Sequence, residues 1–223
     1  MKQLILTFLS VLLIACSDSD SSSDFIVSGT GDETYTITLN ASWSSTTHPQ
    51  SFPRNAHFSN LVGTTHNVNS VFWQAGDIAS SGIEQMAETG KTNILIGEIN
   101  TDKTAGNSDN LIHGDGIDKS PGSRTFTLPV KASHHYLTLV TMIAPSPDWF
   151  IGVNAYDLMP NGNWVDNATV TLYAYDAGTD SGTSYTSANA DTNPAEVITQ
   201  IIDGPFLVNT VIVPVGELVI TRN

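Results

Sequence analysis

The stretch of sequence that decides the fold is TYTITLNASWS, residues 34–44. Polar side chains alternate with apolar or aromatic ones through the whole segment. Because successive side chains of a β-strand point to opposite faces, this period of two predicts a strand with one buried face. The side chains expected on the buried face are Tyr35, Ile37, Leu39, Ala41 and Trp43.

The same pattern recurs along the rest of the chain. Apolar residues alternate with polar ones through residues 126–130, 170–174 and 208–220, and nearly continuous apolar runs cover residues 136–144 and 150–153. Runs of the second kind are typical of central strands that are buried on both faces. Many short strands separated by Gly, Asn, Asp and Pro turns predict an all-β fold, an antiparallel β-sandwich.

One short helix is indicated within this β-rich chain. Ser81 and Glu84 have the spacing of a capping box, and Gly90 has the chemistry of a helix C-terminus. Apolar side chains at helical spacing lie between them, namely Ile83, Met86 and Ala87. Residues 33–223 show no internal repeat and no linker, so we predict that they form a single domain.

The composition of the chain argues against nucleic-acid binding and excludes internal disulfides. The 223 residues include 22 acidic and 8 basic side chains, for a formal charge of -14. Nucleic acids bind proteins largely through Lys and Arg, so a nucleic-acid partner is not expected. The single cysteine excludes an internal disulfide framework and any site made of several cysteines.

That cysteine, Cys16, lies where a processing signal would place it. Residues 1–15 combine Lys2 with a short apolar run that ends in LIA, which is typical of a signal peptide. The stretch LIAC resembles a bacterial lipobox, which predicts a lipid on Cys16, an acidic Ser/Asp tether within residues 16–32, and membrane attachment through that lipid alone. Ser17 resembles the sorting signal for the outer membrane, so an outer-membrane lipoprotein of a bacterial cell envelope is expected.

Three aspartates are candidate metal ligands. Asp176 and Asp180 lie four residues apart after a predicted strand, with Gly178 between them, and Asp148 follows the rigid stretch PSP. Calcium prefers six to eight oxygen ligands, often carboxylates on loops. Clustered carboxylates in a chain with so few cations favour a bound divalent ion, but aspartates in turns also commonly bond backbone amides.

The segment DSG (residues 180–182), with His66 upstream of it, also permits a trypsin-like serine hydrolase, although no aspartate between His66 and Ser181 has a recognisable setting. A catalytic triad is defined by geometry, however, and chain order alone carries little weight in a chain with six histidines. The segment DSG is followed by Thr183 instead of glycine. We therefore expect a protein that is not an enzyme.

A series of short motifs resembles the spondin domain family, which includes F-spondin and mindin, across roughly residues 35–202. The motifs are THP (47–49), FP (52–53), AHFS (56–59), GTTH (63–66), AETG (87–90), SPDW (146–149) and DAGTDSG (176–182). The resemblance implies a C2-like β-sandwich without catalytic activity, a bound calcium, and a role in adhesion or ligand recognition outside the cell. Position by position, Asp148, Asp176 and Asp180 match the calcium ligands of that family.

The resemblance does not identify the partner, which we expect to be a protein or a matrix polysaccharide. Two hypotheses for the metal remain. Calcium is either structural, holding loops together, or it bridges the sandwich to a carbohydrate or a lipid head group. We favour the structural hypothesis because exposed aromatic residues suited to sugar stacking are not evident near residues 176–180.

Overall fold

The computed structural model describes residues 26–27 and 31–223. The predicted signal peptide, Cys16 and residues 17–24 of the tether lie outside this part of the chain. Neither helix in the described part of the chain has the length and the hydropathy that a membrane crossing requires. Ile26 and Val27, which the sequence analysis placed in the tether, pair with a strand of the domain.

The described residues form fourteen β-strands and two α-helices, together with three short 3-10 helices. The strands are β1 (Ile26–Val27), β2 (Glu33–Ala41), β3 (His57–Phe58), β4 (Leu61–His66), β5 (Ser108–Gly114), β6 (Gly122–Val130), β7 (Tyr136–Ala144), β8 (Trp149–Asp157), β9 (Asn167–Leu172), β10 (Tyr175–Asp176), β11 (Thr199–Gln200), β12 (Leu207–Val208), β13 (Val211–Ile212) and β14 (Gly216–Arg222). The helices are α1 (Ser81–Thr89) and α2 (Asn93–Thr104).

Two antiparallel sheets form the sandwich, which confirms the predicted fold class. The smaller sheet has the order β6-β2-β14-β9, and the larger has the order β1-β5-β4-β7-β8-β10-β11, with β3 pairing on β7. Strand β2 lies in the centre of the smaller sheet, and its alternating side chains are buried as predicted. They pack against the inner face of the larger sheet in a core that includes Leu137, Leu139 and Ile151.

Both helices cover the outer face of the larger sheet and create a second core. Ile83, Met86 and Ala87 of α1 pack with Leu95 and Ile99 of α2. This layer explains the continuous apolar run of β7, because its successive side chains enter different cores. Leu137, Leu139 and Ile143 face the sandwich, while Val140, Met142 and Ala144 face the helices.

Helix α2 corrects the expectation of one short helix. Its sequence gives weak signals, because Gly97 lies in its interior and Thr92 makes no side-chain capping bond at its start. Packing of Leu95 and Ile99 against the sheet stabilises it instead.

The start of α1 also differs from the prediction. The N-cap is Ser80, whose Oγ accepts a hydrogen bond from the backbone N–H of Ile83 over 3.2 Å. The supporting carboxylate is Glu98 of α2, which accepts from Ser80 Oγ at 2.7 Å and from the N–H of Gly82 at 2.8 Å. Gly90 ends the helix with a left-handed φ of 68°, as expected.

The predicted strand over residues 208–220 is interrupted. Asn209 and Thr210 have positive φ values of 49° and 67°, which makes a two-residue turn between β12 and β13. The long strand of this region is β14, which begins at Gly216 and pairs with both β2 and β9.

Candidate metal centre

Asp148 lies at the base of the candidate metal centre, immediately before β8. Its side chain is 0 % exposed. Oδ2 accepts hydrogen bonds from the backbone N–H groups of Thr179 (2.8 Å) and Asp180 (3.1 Å) and from Thr179 Oγ1 (3.3 Å). The segment of residues 177–180 therefore folds over this carboxylate, and Ala177 N–H also donates to the Asp148 carbonyl over 3.1 Å.

The second oxygen of this carboxylate is unsatisfied. Asp148 Oδ1 is buried and has no hydrogen-bond partner among the described residues. Burial raises the pKa of Asp148 above its ordinary value, and the negative charge of Asp180 adds to that effect, while the amides that bond Oδ2 oppose it. A buried carboxylate oxygen without a partner is costly unless a proton or a cation satisfies it.

Asp176 is brought to the same place by strand pairing. It stands opposite Trp149 in the register of β10 with β8. Its Oδ1 accepts the backbone N–H of Gly178 over 2.8 Å. Burial, and then the negative charge of Asp148, raise the pKa of Asp176 to about 6.

Gly178 permits the turn that follows Asp176. Its φ is 75°, and a Cβ at this position would lie 2.4 Å from the carbonyl oxygen of Glu196. A side chain at this position would therefore displace the loop, so the turn requires glycine.

Asp180 is held by two amides. Its Oδ1 accepts from Gly182 N–H over 2.7 Å and its Oδ2 from Ala190 N–H over 2.8 Å, and the residue is 4 % exposed. The alternative that aspartates here bond turn amides is thus observed at all three positions. It does not exclude a cation, since a carboxylate oxygen that accepts one N–H retains further acceptor capacity.

The sequence analysis missed a fourth acidic group, Glu88 of α1. Burial raises its pKa, and the negative charges of Glu84, Asp148 and Asp191 contribute in the same direction. Its position in the AETG motif was the available signal. No fixed cluster of three or more His, Cys, Asp or Glu side chains capable of holding a metal is found among the described residues. The carboxylates are gathered in one region without forming a complete cage.

The donors present here suit calcium by their chemistry. The candidate ligands are carboxylate oxygens, and the unsatisfied Oδ1 of Asp148 lies among like charges. Carbonyls and water supply the remaining ligands in most calcium sites, which vary in geometry more than magnesium sites. Asp148, Asp176 and Asp180 are the residues that would hold the ion.

The residues of the hydrolase alternative have other partners. His66 Nδ1 contacts the Asn67 carbonyl at 2.8 Å, and Nε2 contacts Thr138 Oγ1 at 2.8 Å. Ser181 Oγ donates to the Ala190 carbonyl over 3.1 Å. The structure therefore does not bring His66 and Ser181 together as a base and a nucleophile.

The Spondin_N family matches residues 33–205, which include the sandwich and all three aspartates. The chain belongs to the Spondin_N family. This finding confirms the resemblance inferred from the motifs.

Named relatives of this Spondin_N chain occur in vertebrates. Spondin-2 of Homo sapiens is 34% identical over 174 residues, covering 75% of this chain and 52% of the relative. Spondin-1 of Rattus norvegicus is 34% identical over 182 residues, covering 75% of this chain and 22% of the relative. Spondin-1 of Xenopus laevis is 31% identical over 215 residues, covering 86% and 25% respectively. The chain thus spans about half the length of Spondin-2 and a quarter or less of Spondin-1.

Proposed function

We propose that this Spondin_N protein is an exported, calcium-binding module for adhesion or ligand recognition and has no catalytic activity. The observation that carries the calcium assignment is the buried, unpartnered Oδ1 of Asp148 beside Asp176. The adhesive role follows from family membership and from the motifs that resemble F-spondin and mindin.

The burial of the ligands favours a structural calcium. Asp148 and Asp180 are 0 % and 4 % exposed, and the 177–182 loop covers the first of them. An ion held there joins the start of β8 to this loop. Since it binds the folded chain, it stabilises the fold by mass action, by about 2.7 kcal/mol at a concentration 100 times its Kd. The alternative, a calcium that bridges to a carbohydrate or lipid head group, requires coordination positions open to solvent.

Membrane attachment belongs to the same proposal. The LIAC stretch supports cleavage before Cys16 and acylation of its thiol. The domain is then held at the outer membrane by lipid and tether, facing either the periplasm or the exterior. The partner is a protein or a matrix polysaccharide.

Isothermal titration of the purified protein with calcium tests the assignment, with magnesium as the comparison ion. We expect one calcium per chain and much weaker magnesium binding. Asp176→Ala combined with Asp180→Ala should abolish the heat of binding, whereas Asp109→Ala, which removes a carboxylate from β5, should preserve it. Absence of calcium binding by the wild-type protein would refute the proposal.

A further inference from the structure

A cleft opens along the side of the sandwich, between β8 of the larger sheet and β9 of the smaller one. Its volume is about 290 Å³. Strand β10 pairs with Trp149 and Phe150 at the start of β8, and beyond them no described strand pairs with this edge. Strand β9 is the edge of its own sheet. We call this space the edge cleft; it is lined by residues 73–75, 152–154, 156, 170–171, 173 and 175.

Four aromatic side chains line the edge cleft, and two of them, Trp73 and Tyr175, are held by packing against each other. Trp73 packs edge-on against Tyr175 with ring centroids 5.0 Å apart, and against Phe150 at the same distance. Tyr156 and Tyr173 contribute further rings to the lining. Aromatic faces of this kind offer apolar contact area, and their polar tips offer hydrogen bonds.

Two polar atoms of the lining are buried and unsatisfied. The indole Nε1 of Trp73, a side chain that is 5 % exposed, has no hydrogen-bond partner among the described residues, nor has Oδ1 of Asn154. One is a donor and the other an acceptor. Both atoms lie below the accessible surface, so a ligand in the edge cleft would contact these side chains without bonding these two atoms.

Charge restricts the class of ligand. Every described residue that lines the edge cleft is uncharged, and the chain as a whole carries a formal charge of -14. An anionic ligand would be repelled by the whole molecule, and a cationic one would find no carboxylate in the lining. A neutral ligand with both donors and acceptors fits these groups.

We propose that the edge cleft binds a neutral oligosaccharide. Sugar hydroxyls both donate and accept, so they complement the amide and hydroxyl groups of the lining residues Gln74, Asn154 and Thr171, while the apolar face of a pyranose ring packs on a tyrosine. An extended peptide added to β8 is less suited, because Ala155 has a φ of 46° and the β7–β8 register shifts here, which interrupts a regular ladder. The inference rests on the proposed ligand-binding function and locates its ligand.

The test is an NMR titration of the purified protein with neutral glycans. The four tryptophans give four indole N–H signals, and Trp73→Phe identifies the one from Trp73. The probes are cellotetraose, maltotetraose, chitotetraose and a panel of neutral bacterial and matrix glycans, each at millimolar concentration. Tetragalacturonate and a library of unstructured nonapeptides serve as competing classes. Each titration is run with calcium and with chelator.

We expect at least one neutral glycan to shift the Trp73 signal. Tyr173→Ala and Asn154→Ala should each weaken that binding by about tenfold or more, because the first removes a ring contact and the second removes an amide group from the lining. Tyr173→Phe, which keeps the ring, and Asn100→Ala on the exposed face of α2 should bind like the wild type. Each variant must retain the wild-type thermal unfolding profile, so that loss of fold is not read as loss of binding.

The proposal is overturned if no neutral glycan shifts the Trp73 signal, if both alanine variants bind normally, or if only the acidic sugar or the peptides bind. Failure of the calcium assignment gives a different result. In that case melting curves with calcium and with chelator coincide, while the glycan titration still reports on the edge cleft.

Discussion

Asp176 stands directly opposite Trp149 in the pairing of β10 with β8, and Asp148 immediately precedes Trp149. The pairing brings together two stretches of backbone that carry aspartates 28 positions apart, 176 minus 148, and the negative charge of Asp148 contributes to the raised pKa of Asp176. The hydrogen bond from Thr179 N–H to Asp148 Oδ2 then closes the loop over them. The backbone therefore holds several negative charges close together, and in the calcium-free protein their repulsion destabilises the fold.

Asp148→Asn tests whether these negative charges repel one another, because it should affect stability differently without calcium and with calcium. The amide keeps the shape, one oxygen can accept the Thr179 and Asp180 amides, and the buried charge disappears. Without calcium we expect the variant to be at least as stable as the wild type. With calcium at 100 times its Kd the wild type gains about 2.7 kcal/mol and the variant gains little. Thermal and urea unfolding measure both values.

The control for Asp148→Asn is Asp203→Asn, which changes an aspartate of a separate 3-10 turn. It should keep the full calcium-dependent rise in Tm. If Asp148→Asn is strongly destabilised in chelator, the carboxylate stabilises the calcium-free fold and the argument from repulsion is wrong.

The pH dependence of the calcium-free protein should report the raised pKa of Asp176. Because its folded pKa of about 6 exceeds the ordinary value of 3.8, the proton is bound more tightly in the folded state. Its stabilising contribution is complete below about pH 3.8 and is lost as the pH rises through about 6. The free energy of unfolding of wild type minus that of Asp176→Asn should therefore fall between about pH 4 and pH 7.

Urea unfolding in calcium-free buffer at a series of pH values measures this difference. Asp166→Asn, at an exposed aspartate that bonds Arg222, controls for general charge effects. Calcium binding requires ionised carboxylates, so calcium affinity should change in the opposite sense and rise over the same pH range. If the difference in unfolding free energy between wild type and Asp176→Asn did not change with pH, the pKa of Asp176 would not be raised.

The period of two in residues 34–44 correctly predicted β2, which is central in its sheet with one face buried, and the recurrence of such segments along the chain predicted the sandwich. The apolar run of β7 predicted a central strand but not what covers its second face. That face is covered by α1, and α2 packs beside it over β4 and β5. The interior Gly97 and the uncapped start of α2 leave little local signal for that second helix. Its stability comes from contacts distant in sequence, which periodicity does not encode.

The candidate site was predictable to a similar extent. Turn chemistry around Gly178 and the motif spacing indicated Asp148, Asp176 and Asp180. The register that sets Asp176 opposite Trp149 is a property of the sheet, and Glu88 reaches the same region from a helix. The edge cleft could not be predicted from the sequence. Trp73 and Tyr173, which both line it, are a hundred positions apart, 173 minus 73, and each taken alone would be interpreted as a core residue.

Cys16→Ser should release the protein from the membrane. Each buried acyl methylene contributes roughly 0.8 kcal/mol, so loss of the acylated thiol removes the proposed anchor. We expect wild-type protein in the detergent-soluble membrane fraction, labelled by radioactive palmitate, and the variant unlabelled in the aqueous fraction. Ser17→Ala should remain labelled and membrane-bound. An unlabelled wild-type protein would refute lipidation.

Ile83→Ala tests whether the helical layer is an integral part of the domain. Ile83 is 0 % exposed and packs in the second core with Met86 and Leu95. Truncating a fully buried isoleucine typically costs about 2 to 5 kcal/mol, so a large loss in urea unfolding is expected. Ile94→Ala, on α2 but 38 % exposed, should cost less than about 1 kcal/mol. If the helices were a loosely attached layer, Ile83→Ala would unfold the helices alone. Urea unfolding would then show two transitions, and the second, from the sandwich, would be unchanged. A single cooperative transition, shifted for the whole protein, would show that both cores fold together, because β7 contributes alternate side chains to each.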